Sequence, residues 1–145
     1  MRFMIIRKAD PQTEAWEKPS RALVDAMMAY NEEMIRAGVM LGGDGLKPSS
    51  RGHRIKFSRG RPKVTDGPFA ESKELVAGYT IIQVGSREDA LEWVKRWPVE
   101  DGDGEVELEL RELYEADDFG DEFTPDMRRQ KDILSKEATH SNQRG

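Results

Sequence analysis

Apolar and polar positions alternate legibly along the chain. Residues Arg2 to Lys8 hold Phe3, Ile5 and Ile6 and predict a mostly buried first strand, which Asp10-Pro11 breaks. A polar loop is expected next. Trp16 within it needs a partner surface, because exposing a whole indole is unfavourable. From about Ser20 to Ala37, Leu23, Met27, Tyr30 and Met34 recur at three- and four-residue spacing, the stripe of an amphipathic helix. Gly38 stands where a left-handed cap belongs. Val39-Met40-Leu41 then leads into Gly42-Gly43-Asp44-Gly45-Leu46, whose local reading is a flexible glycine-rich connection.

Residues Arg51 to Ser58 alternate as a strand, with Ile55 and Phe57 on an inward face and Arg54 and Lys56 opposite. A turn over Ser58 to Arg61 precedes a return strand from Lys63 to Asp66, which Gly67-Pro68 ends. Leu75 to Val84 is apolar on both faces, as a central strand should be. Ser86-Arg87-Glu88-Asp89 opens a second helix with a capping-box pattern; Ala90, Leu91, Val94 and Trp97 form its inner stripe, and Pro98 stops it. After the loop Asp101-Gly102-Asp103-Gly104, residues Glu105 to Tyr114 alternate strictly, with Val106, Leu108 and Leu110 inward and Glu105, Glu107 and Glu109 outward. Beyond Tyr114 the chain turns acidic, with Phe119 and Phe123. Thr124-Pro125-Asp126-Met127 starts a polar helix to about Lys136, and Thr139 to Gly145 is expected to be disordered.

Strand, helix, three strands, helix, strand is a ferredoxin-like α+β order with an extra hairpin. It predicts an antiparallel sheet with two helices on one face in residues 1–114, followed by an acidic extension over 115–145. The helix-free face of such a sheet is where a second copy would meet it.

Composition narrows the function. A charge of −5 over 145 residues argues against a nucleic-acid binder, which would carry a basic footprint. There is no cysteine, so disulfides, thiolate catalysis and Cys-ligated metals are excluded. The first apolar run is too short for a signal peptide and no stretch could span a bilayer, so no membrane role and a cytoplasmic location are the expectation.

The most informative segment is Val64-Thr65-Asp66-Gly67-Pro68-Phe69-Ala70-Glu71-Ser72-Lys73-Glu74, followed by Val76-Ala77-Gly78-Tyr79. Together with Gly42-Gly43-Asp44-Gly45-Leu46-Lys47-Pro48 and Glu92-Trp93 it resembles the YCII-related family, in particular its DGPF branch. Ser72 stands where that branch usually has threonine. The resemblance covers Met1 to about Tyr114. It implies a dimeric α+β barrel and an active-site cleft between sheet and helices, without a settled reaction. Some relatives carry a His–Asp pair proposed as catalytic; His53 and His140 are the only histidines here, and neither stands where that histidine is expected. Some DGPF-type proteins are associated with sigma factors.

Asp66 precedes a Gly-Pro turn, so it reads both as turn chemistry and as a well-oriented general base. It is the catalytic candidate. Gly42, Gly43, Gly45 and Leu46, with Gly67, Pro68, Phe69, Glu71, Lys73 and Tyr79, are the ligand-binding candidates. Glu71 and Lys73 equally suit a solvated surface, and Phe69 a wedge anchoring the loop. From Arg51 to Lys63 the hairpin is basic and holds no acid, which fits an edge guarded by charge or an anion contact. The alternating Glu105, Glu107 and Glu109 spread along a strand without a histidine, so no metal is expected, and no cofactor. The expected function is small-molecule binding in a cleft beside the Asp66 loop, with cofactor-independent proton transfer of isomerase or lyase type. The alternative is a homodimeric interaction module meeting a protein partner through 115–136, of the kind linked to sigma-factor regulation.

Overall fold

The computed structural model describes residues 1–143, and these divide into two compact units, 1–113 and from Tyr114 onward. In the first unit the strand β1 (Arg2–Lys8) is followed by a single helical turn, α1 (Pro11–Glu14), where the sequence predicts a loop. Asp10 makes the difference: its carboxylate accepts the Thr13 N–H while the Thr13 hydroxyl accepts the Asp10 N–H, a reciprocal cap. The main helix α2 (Arg21–Arg36) begins at Ser20, whose hydroxyl accepts the Leu23 N–H, and ends before Gly38 at φ +71°.

Between α2 and the helix α3 (Arg87–Val94) the chain makes four strands: β2 (Met40–Gly45), β3 (His53–Ser58), β4 (Arg61–Asp66) and β5 (Val76–Gln83). The sequence predicts three. The glycine run is not a loop but β2, paired antiparallel with β5. A Cβ on Gly43 would stand 2.7 Å from the Tyr79 carbonyl oxygen, so only glycine lets the two backbones approach this closely. With the last strand β6 (Leu108–Glu112), the sheet runs β2-β5-β1-β6, all neighbours antiparallel. This is the ferredoxin-like arrangement, with β3 and β4 set apart as a separate two-stranded hairpin.

Both helices cover one face of the sheet. Phe3 and Ile5 of β1 and Ile82 of β5 are buried with Tyr30 and Met34 of α2 and Ala90 of α3 in one core. Leu91, predicted to face inward, is exposed, because the stripe of α3 that meets the sheet runs through Ala90, Trp93 and Val94. The Tyr30 hydroxyl donates to the Trp93 carbonyl at 2.6 Å, which joins α2 to α3. Burial pushes the Tyr30 hydroxyl up to about 12, with the Arg96 charge opposing it, so it stays a donor at neutral pH.

The hairpin departs from the pattern. Pairing places His53, Ile55, Phe57, Pro62, Val64 and Asp66 on one face and Arg54, Lys56, Lys63 and Arg61 on the other. Ile55 and Phe57 are exposed rather than inward, because β3 pairs only with β4 and reaches no core.

In the second unit a 3-10 segment (Ala116–Glu122) leads into α4 (Pro125–Gln143). The helix continues past Lys136, since no proline or glycine interrupts it before Gln143. Of the end expected to be disordered, Thr139 to Gln143 is helical, and Arg144 and Gly145 lie outside the described residues. Tyr114, Phe119 and Phe123 stack in sequence at 5.2 and 5.8 Å between centroids.

Met34 has no solvent exposure. Met34→Ala is expected to lower the unfolding free energy by about 2–5 kcal/mol, read from urea titrations at unchanged slope; a loss no greater than that of a surface substitution would show that the core lies elsewhere.

Candidate functional site

Strand alternation carries Arg7 to the same face as Phe3 and Ile5, so a guanidinium is delivered to the helix-covered side of the sheet. It is buried, and so is Asp101 in the turn after α3. The two form a bidentate pair: Nε donates to Asp101 Oδ2 at 3.1 Å and Nη2 to Oδ1 at 2.7 Å. Nη1 donates to Asp10 Oδ2 at 2.8 Å and to the Lys8 carbonyl at 2.7 Å. The Trp97 indole N–H donates to Asp101 Oδ2 at 2.9 Å. The hydrogen bond from Arg7 to Asp101 raises the guanidinium's pKa above its ordinary value against the effect of burial, so Arg7 stays charged. Burial pushes the Asp10 carboxyl up, but the Thr13 N–H and Arg7 outweigh it and hold the group below the usual carboxylate range.

This cluster stands in the wall of a cavity of about 840 Å³. Leu23, Met27 and Asn31 of α2 form one side, and Met40, Gly43 and Thr80 of the sheet another. Trp97, Asp101 and Asp103 close it from the turn after α3. Of the predicted ligand-binding residues, Gly43, Gly45 and Tyr79 belong to this wall and Gly42 does not. Pairing of Asp44 with Tyr79 and their 3.3 Å side-chain contact put both side chains on the opposite face, so each meets the cavity through its backbone.

The Asp66 loop lies elsewhere: none of Asp66, Gly67, Pro68 and Phe69 lines this cavity. The loop is docked on the turn before β3. Ser49 Oγ accepts the Phe69 N–H at 3.0 Å, and both the Ser49 N–H and its hydroxyl donate to the Glu14 carboxylate. A Cβ on Gly67 would collide with the Ser49 carbonyl, which explains the glycine. The Gly67-Pro68 peptide is cis, and Pro68, Glu71 and Lys73 are exposed. Leu46 and Phe69 both line a second hollow of about 330 Å³, and the Arg54 guanidinium covers the Phe69 ring at 4.1 Å. Trp16 stays half-exposed beside the cations Lys47 and Arg51.

The sequence discounts a His–Asp pair, yet pairing of β3 with β4 sets His53 opposite Asp66, with Nδ1 2.8 Å from Oδ1. Both side chains are open to solvent. The Arg7 cluster was missed as well; its signal is an arginine at the third inward position of an apolar strand, where a buried charge needs a partner. Among the described residues no group of three or more His, Asp or Glu is arranged to hold a metal ion, and no helix is long and apolar enough to cross a membrane.

Topology and cavity together define a small ferredoxin-like α+β domain with a cleft between its helices and its sheet. A family model described as the YCII-related domain matches residues 1–113, and the chain belongs to that family. An uncharacterised protein of Rhizobium meliloti (strain 1021) is 32% identical over 85 residues, spanning 57% of this chain and 68% of that one. A solved structure, 5-chloro-2-hydroxyhydroquinone dehydrochlorinase (TftG) from Burkholderia phenoliruptrix AC1100 in complex with 2,5-dihydroxybenzoquinone, is similar over 79% of this chain and 94% of that one. It shares 14% identity, with a TM-score of 0.43.

Two outcomes are expected. Asp101→Ala, which strands Arg7 without its main partner, should cost about 3–5 kcal/mol in urea unfolding, and the double change Arg7→Met with Asp101→Leu should cost less. Because the folded Asp10 pKa lies below the unfolded one, its contribution is whole above the ordinary value of 3.8 and disappears as pH falls through the folded pKa. Asp10→Asn should therefore be less stable than the parent at pH 7, with the gap closing in acid; a gap constant with pH would remove Asp10 from the cluster.

Proposed function

We propose that the protein binds a small organic molecule in the cavity between α2 and the sheet. The carrying observation is the wall itself: an apolar side of Leu23 and Met27 faces a fixed polar cluster of Arg7, Asp10 and Asp101. An apolar enclosure with a few convergent polar groups is the usual form of a ligand site. Cofactor-independent proton transfer, of isomerase or lyase type, is the chemistry that carboxylates in such a wall suit.

A second reading rests on the 2.8 Å contact of His53 with Asp66. Asp66 would orient the imidazole, leaving Nε2 to take and return a proton. The pair sits at one end of the hairpin's apolar face, where Ile55, Phe57 and Val64 are each more than half exposed. A two-stranded hairpin with an open apolar face is marginal alone. A homodimer in which the second copy covers this face would also exclude water from the pair.

The first reading is tested by thermal shift against small organic molecules of both charges and none. A ligand at about 100 times its Kd adds about 2.7 kcal/mol to the folded state. A hit should weaken sharply in Met27→Trp, which places a bulky ring in the cavity wall beside Leu23 and Asn31; a hit of unchanged affinity there sinks the assignment. The second is tested by sedimentation: the parent should be dimeric at micromolar concentration and Phe57→Glu monomeric, with a monomeric parent deciding against it.

A further inference from the structure

We infer that the cavity between α2 and the sheet selects an organic cation, an alkyl- or arylammonium, over carboxylates and phosphates. This rests on the reading of that cavity as a ligand site and names the class of ligand. A buried arginine in a cavity wall ordinarily suggests an anionic ligand. Here four of its five donors are committed. Nε and Nη2 serve Asp101, and both hydrogens of Nη1 are taken by Asp10 and the Lys8 carbonyl. An incoming anion would find only the second Nη2 hydrogen uncommitted, too little for the two-pronged grip that an arginine gives a carboxylate or phosphate.

Charge points the same way. Two carboxylates share one guanidinium, so the cluster as a whole is negative. The other ionisable side chains of the wall are Glu17, Glu100 and Asp103 against Lys18 alone; Asp44 is left out because its side chain lies on the far face of the sheet. An anion would enter a site of its own sign, whereas a cation gains from every uncompensated carboxylate. Leu23 and Met27 offer an apolar surface to the body of the ligand, and the Trp97 ring is a face to which an ammonium is attracted.

Three molecules with one indole body and different ends serve as probes: tryptamine, tryptophol and indole-3-acetate. Binding to the full chain is measured by calorimetry at low salt, with the parent, with Met27→Trp, and with the double variant Glu100→Gln, Asp103→Asn. Tryptamine is expected to bind roughly five-fold or more tightly than tryptophol, with indole-3-acetate weakest. The preference should shrink in the double variant and in high salt, and all three should bind much more weakly to Met27→Trp. Tryptophol binding as tightly as tryptamine, and weakened in Met27→Trp, would overturn the cation preference while leaving the cavity as a ligand site. A tryptamine preference untouched by high salt and by the double variant alike would also overturn it, since charge would not be its source. No binding by any of the three would take down the cavity reading and the inference together.

Discussion

A guanidinium placed inside a small protein constrains everything near it. Burying Arg7 without partners would cost more than the fold has to give, so the surroundings are arranged to answer it. Asp101 supplies a two-pronged acceptor, Trp97 fixes that carboxylate from behind, and Asp10 takes the remaining side. The register of β1 with β5 shifts between Arg7 and Lys8, where the Lys8 carbonyl accepts from the same guanidinium. One side chain thereby ties the end of a strand, the cap of α1 and the turn after α3. Those are the elements that, with α2 and the sheet, enclose the cavity. The apolar core of Phe3, Ile5, Met34 and Ile82 holds the layers together, and the charged cluster decides how they end.

Local rules made the layers legible. The α2 stripe, the cap at Ser86, the central character of β5 and the αL position of Gly38 follow from spacing and side-chain chemistry, and each is where the sequence puts it. What escaped depended on contacts distant in sequence. Glycine propensity argues for a loop at Gly42 to Gly45, and the argument fails because pairing with β5 outweighs propensity where a Cβ would have blocked it. Alternation in β3 correctly gives two faces but cannot say that neither meets the core. Asp101 reads as a loop acid until Arg7, 94 positions away, is seen against it.

The candidate residues divided for a similar reason. The family resemblance implied that the Asp66 loop and the glycine run flank one cleft. Glu14 and Ser49 instead pin the loop to the turn before the hairpin, while the glycine strand turns its backbone to the larger cavity. The short motif thus describes a docking of backbone on backbone, enforced at Gly67, as much as a set of reacting groups. Its aspartate is nevertheless delivered beside a histidine by the hairpin register, a juxtaposition that only strand pairing reveals.

The four-stranded sheet ends on β6 and on β2, and the two borders are guarded differently. Along β6 the border carries Glu109, Arg111 and Glu112, charges that discourage a foreign strand from adding on. Along β2 there is little charge. Instead Leu41 stands unpaired between Met40, opposite Ile82, and Gly42, opposite Ile81. A bulge of this kind breaks the even ladder that an adding strand would need to copy. The protein therefore resists aggregation at one border by electrostatics and at the other by irregular geometry, and straightening β2 would expose a sticky template as surely as removing charges from β6.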